Sequence, residues 1–100
     1  MHDARHGDGV TVICGAGELD RVELARIADL AAEARRAGRR VVIDLARVTH
    51  LHYAGAAFLK EVPDLRAAGA SCYVRDLVHA GGAAGYVQFH ADVEEALRAA

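Results

Sequence analysis

Val41-Val42-Ile43-Asp44-Leu45 is the stretch on which the fold turns. Its nearly continuous apolar, β-branched character suits a central strand buried on both faces. On its N-terminal side, Arg21 to Ala37 carries Leu24, Ile27, Ala28, Ala31 and Ala34 at helical spacing, with Glu23, Arg26, Asp29, Glu33 and Arg36 on the opposite face. Asp20 and Glu23 form an Asp version of the capping box, in which each side chain can accept a backbone N–H at the helix start. Arg35 and Arg36 suit the negative end of the helix dipole, and Gly38 suits the left-handed position beyond it. Earlier still, Val10-Thr11-Val12-Ile13-Cys14 reads as a strand, closed by a turn at Gly15-Ala16-Gly17.

On the C-terminal side of the central strand, Arg47 to His52 reads as a loop. Ala54 to Ala68 has helical spacing, with Phe58, Leu59, Val62 and Leu65 inward, but Pro63 must kink or split that helix. Gly69 ends it, and Ala70 to Arg75 is expected to be the next strand. Leu77 to Tyr86 is irregular, because Gly81, Gly82 and Gly85 each cost a helix about 1 kcal/mol relative to Ala. Val87-Gln88-Phe89 reads as a short edge strand, and Asp92 with Glu95 caps a last helix containing Val93, Ala96 and Leu97. Alternating strands and helices with short connections predict an α/β domain over residues 10–100, with a small mixed, largely parallel sheet of about four to five strands and about four helices. Residues 1–9 are expected to form an N-terminal segment, either a short strand or disordered. An edge in this first region would let the sheet pair with another copy as a homodimer.

Composition narrows the function. One hundred residues support one core and leave too little chain for a catalytic domain plus a cofactor domain. The net charge of -2 and 5% aromatic content supply neither long-range attraction to phosphate backbones nor stacking platforms, so nucleic acid is not an expected partner. No apolar run reaches the ~20 residues of a membrane span, and residues 1–9 lack a signal-peptide core, so no membrane insertion and a cytoplasmic location are expected. Cys14 and Cys72 have no zinc-type spacing and read as buried free thiols. Ser71, the one serine, lies on an expected strand, so no exposed nucleophile is evident and no catalytic set or cofactor is expected. His50 and His52, joined by His79 or His90, could hold a metal; the alternative, which we favour, is exposed loop histidines and no metal. Arg35-Arg36 and Arg39-Arg40 read as a solvated turn rather than a docking patch for an acidic partner. Gly81-Gly82-Ala83-Ala84-Gly85 lacks the Lys and Ser/Thr of a phosphate loop.

Gly17-Glu18-Leu19-Asp20, Val42-Ile43-Asp44-Leu45-Ala46-Arg47-Val48-Thr49, Ala54-Gly55 and Glu94-Glu95-Ala96-Leu97, in that order and spacing, resemble the STAS domain. That domain is shared by bacterial anti-sigma-factor antagonists, stressosome scaffolds and the tails of some anion transporters. The resemblance implies a single STAS-type domain that is not an enzyme but a protein-interaction module. It implies docking on an anti-sigma factor, often a kinase-like regulator that switches the antagonist off by phosphorylating a Ser in an Asp-Ser-x-Gly motif. The matching positions here read His52-Tyr53-Ala54-Gly55, so Tyr53 stands at the phosphoacceptor position and serine phosphorylation there is not expected. His50, His52, Tyr53, Ala54, Gly55 and Ala57 are the expected partner-binding residues. The alternative is a cytoplasmic accessory subunit of a lipid- or anion-transport complex, binding its ATPase. Ligand sensing near the Gly-rich segment is a third reading.

Overall fold

Val10–Leu19 and Arg40–Leu51 are the two longest strands of a computed structural model that describes residues 1–99, and they pair in parallel at the centre of a five-stranded sheet. In chain order the elements are β1 (His2–Gly7), β2 (Val10–Leu19), α1 (Arg21–Arg36), β3 (Arg40–Leu51), α2 (Tyr53–Ala56) running into a 3-10 turn (Ala57–Glu61), β4 (Leu65–Ala68), α3 (Cys72–Ala80), a second 3-10 turn (Ala84–Tyr86), β5 (Val87–His90) and α4 (Val93–Arg98). The strands lie in the order β1-β2-β3-β4-β5, with β1 antiparallel to β2 and the other pairs parallel.

The reading of β3 as a strand buried on both faces holds. Val41, Ile43 and Leu45 join the main core beneath α1, α2 and α3. Val42 faces the other way, into a small cluster with Ala68 and Ala96 beneath α4. All five apolar positions assigned to α1 are buried. The Asp20 carboxylate accepts the Glu23 N–H at 2.7 Å, and Asp92 accepts the Glu95 N–H at 2.7 Å, so both expected caps form. Only half of the first capping box is present, however. Glu23 turns to β1, where its carboxylate meets the Met1 ammonium at 2.5 Å and His2 Nδ1 at 2.8 Å. Those two hydrogen bonds hold its pKa below the ordinary value.

The sequence reading fails in three places. Gly15-Ala16-Gly17 is not a turn: β2 continues through it with register shifts beside Ala16 and after Gly17, and glycine in a strand marks such bulges. Arg47 to His52 is not a loop, since β3 continues to Leu51 against Ala16–Leu19. Between residues 62 and 75 strand and helix are exchanged. Pro63 drives Val62 into extended backbone (φ -99°, ψ 113°), which ends the helical segment early. Asp64 then takes φ +55°, and Leu65–Ala68 forms β4, with all four residues buried. Ala70 to Arg75 is not a strand, because Ser71 accepts the Val74 N–H at 3.2 Å and starts α3, burying Val74 and Val78 one helical turn apart. Cys72 is consequently exposed, not buried, and Cys14 is half-buried.

The arginine cluster is also more than a solvated turn. Arg39 donates to Thr11 Oγ1 at 2.8 Å, Gly7 O at 2.7 Å and Val10 O at 2.8 Å, tying the β1–β2 turn to the start of β3. Arg40 donates to Leu97 O at 2.5 Å, at the end of α4. Replacing Arg39 with Leu removes three charge-assisted bonds from a buried Thr and two carbonyls, and is expected to cost about 2 kcal/mol. Urea unfolding measures the loss, and amide hydrogen exchange is expected to rise first in His2–Gly7.

Candidate functional site

The end of β3 delivers His50, Leu51 and His52 to the start of α2. Leu51 is fully buried and anchors this end of the strand, while His52 and Tyr53 are exposed. His52 Nδ1 accepts the Ala54 N–H at 3.2 Å, so this histidine caps α2. The ring of Tyr53 stacks on that of His52, at 5.3 Å between centroids and 15° between planes.

Two glycines set where α2 lies. A Cβ on Gly55 would fall 2.7 Å from Leu24 Cδ1 and 3.1 Å from Arg21 Cα, so this turn of α2 rests directly on the start of α1. On the opposite side, a Cβ on Gly81 would fall 2.3 Å from Tyr53 O and 2.8 Å from Ala56 Cβ, where α2 meets the end of α3. The short helix is thus wedged between two longer ones. That contact fixes the outward position of Tyr53, whose surface is 57% exposed.

His50 makes the link to α3. Its Nδ1 lies 2.7 Å from the Tyr73 hydroxyl, with ring centroids 5.7 Å apart, and Tyr73 is 52% exposed. Tyr73 was not among the expected site residues because its segment reads as a strand. The signal that could have found it is Ser71 as a helix cap ahead of Val74, Leu77 and Val78 at helical spacing. The structure therefore brings Tyr73, His50, His52 and Tyr53 along one end of the sheet. Ala54 and Ala57 are half-buried beneath this surface, and Gly55 is buried, positioning the surface without being presented by it.

Chemically the surface offers two phenols and two imidazoles, His50 joined to Tyr73 and His52 stacked on Tyr53. Such side chains bury large apolar area while keeping one polar tip, which suits protein docking. A three-residue metal site is not assembled from His, Cys, Asp or Glu among the described residues. His50 is directed at Tyr73, His52 at the α2 backbone, and His90 towards Glu95, with its Nδ1 3.7 Å from the carboxylate. The Gly-rich segment does structural work: Gly81 ends α3 against α2, and Ala83 is fully buried. Among the described residues no helix is long and apolar enough to cross a membrane.

A five-stranded mixed sheet in sequential order, with α1 to α3 over one core and α4 behind, has counterparts among solved structures. The anti-sigma-factor antagonist SpoIIAA in its unphosphorylated form superposes with a TM-score of 0.72 over 97% of this chain and 93% of its own, at 18% sequence identity. The chain has the STAS fold. The Bacillus cell fate determinant SpoIIAA in its phosphorylated form shares this STAS fold with a TM-score of 0.66, at 18% identity over 97% of this chain and 96% of that one. An uncharacterized protein from Shewanella loihica with a SpoIIAA-like fold matches with a TM-score of 0.54, at 15% identity over 97% and 89% of the two chains. No family model and no curated protein matches the sequence.

Proposed function

We propose that this chain is a non-enzymatic interaction module of the anti-sigma-factor-antagonist type, docking a regulatory protein through Tyr53, His52, His50 and Tyr73. The observation that carries the reading is Tyr53: a large, exposed aromatic held at the first residue of α2 by packing on both sides of the helix. Rigid aromatic anchors lose little entropy on binding, so they dominate interface energies. The STAS fold, shared with the anti-sigma-factor antagonist SpoIIAA, supports a protein partner of the anti-sigma class.

Serine phosphorylation does not switch this module at the start of α2. The phenol of Tyr53 places its oxygen several ångströms farther from the backbone than a serine would, away from the helix N–H groups that favour a phosphate. Incubation with kinase-like anti-sigma factors and ATP, read by intact-mass spectrometry, is expected to leave Arg47 to Ala57 unmodified. Stoichiometric phosphate on Thr49, the one Ser or Thr in that stretch, would contradict this reading. Affinity purification from the native cell tests the partner class: an anti-sigma regulator is expected, and recovery of a transporter ATPase in its place would reassign the chain to a transport complex.

A further inference from the structure

We infer that β1 is a dimerisation edge, pairing antiparallel with β1 of a second copy about a two-fold axis through Ala4. The backbone decides which residues can take part. Ala16 donates its N–H to Met1 O at 2.9 Å, so the polar groups of Met1 face β2. Strand alternation then turns the N–H and C=O groups of His2, Ala4 and His6 outward, away from the sheet. An axis at Ala4 sets Ala4 opposite Ala4, and His2 opposite His6 twice. These are three reciprocal pairs that consume every outward group with roughly six hydrogen bonds.

Charge selects this register. With Ala4 on the axis, Asp3 of each copy faces Arg5 of the other, in the non-hydrogen-bonded pairs where side chains come closest. The two neighbouring registers that keep the same outward groups paired would set Asp3 against Asp3, or Arg5 against Arg5, and like charges directly opposite destabilise. Both side chains are free for the exchange, since their contact within one chain is a loose 3.9 Å at 77% and 69% exposure. The edge also borders an open groove of about 250 Å³ beside α1, whose lining mixes Ala4, Leu30 and Ala34 with His6, Glu33 and Arg39. Residues directly opposite in a sheet share a face, so the partner's Ala4 methyl lies at the mouth of that groove. The product is a continuous ten-stranded sheet with the two Tyr53 surfaces left outside the contact.

A pairing of this size lies at the lower end of specific interfaces, so half-dissociation is expected at about 10–100 µM chain. Sedimentation equilibrium of the full chain across that range is expected to show a monomer–dimer equilibrium. Ala4→Pro removes an N–H that points away from β2, a position where an edge strand tolerates Pro, and is expected to weaken the dimer at least tenfold. Asp3→Arg alone is expected to weaken it, and Asp3→Arg combined with Arg5→Asp to restore it. If Ala4→Pro lowers the melting temperature, the two charge variants, on exposed side chains, carry the test. A wild-type chain that stays monomeric at every concentration, or a dimer indifferent to these changes, overturns the proposal.

Discussion

Gly81→Ala is expected to destabilise the protein by about 1–3 kcal/mol, the usual cost of forcing a methyl into a packed contact. Elsewhere this exchange is helpful, since Ala restricts the unfolded chain more than Gly and here the backbone (φ -79°, ψ 0°) accepts it. The obstacle is steric. The new Cβ would lie 2.3 Å from Tyr53 O, a backbone atom that moves only if α2 moves. Gly81→Val should cost more. Gly85→Ala is the matched control: nothing lies within 4 Å of the added carbon and φ is not positive, so no loss of stability is expected. Urea denaturation of the three variants measures the differences. Because Tyr53 rides on α2, Gly81→Ala is also expected to weaken partner binding while Gly85→Ala leaves it intact.

Arg66→Ala is expected to cost about 3 kcal/mol and to release α4 from the back of the sheet. Arg66 is 9% exposed on β4, and its guanidinium donates to Ala96 O at 2.7 Å and to Ala99 O. Among the described residues no acidic side chain pairs with it. Its charge is compensated instead by carbonyls at the negative end of α4, with Arg40 reaching the same end from β3. Truncation leaves a cavity beside Ala68 and deprives those carbonyls of their donor. Arg66→Met keeps much of the buried stem and is expected to cost less, about 1–2 kcal/mol, separating packing from hydrogen bonding. Hydrogen exchange in Val93–Arg98 is expected to report the release in both variants, and an unchanged α4 in Arg66→Ala would refute the role assigned to this arginine.

What the sequence makes legible is what local physics decides. The apolar run Val41–Leu45, the five buried positions of α1 and the Asp caps of α1 and α4 each carry their own signal, and each appears as read. Leu65-Arg66-Ala67-Ala68 carries no strand signal at all. It becomes a strand because Pro63 stops the helix before it and because β3 and β5 pair on either side, a tertiary cause invisible in a four-residue window. Losing that strand displaced the next element, which hid Tyr73 from the site. The arginines failed for a related reason: an Arg-rich turn usually faces water, and only the fold reveals that Arg39 and Arg40 point at carbonyls. At the site, His52 and Tyr53 were identifiable by position. The wedge that orients them, Gly55 against α1 and Gly81 against α3, needs distances that no sequence spacing supplies.

The most direct test of the docking surface is site-specific photo-crosslinking in the native cell. A photoreactive phenylalanine analogue is placed at Tyr53 in one strain and, as a comparison, at the exposed Gln88 on β5 in another. The expected result is one prominent adduct with a kinase-like anti-sigma regulator from position 53, absent from position 88 and diminished by Tyr73→Ala. Adducts with that regulator from position 88 alone, or a regulator that co-purifies without ever crosslinking at position 53, would contradict the account.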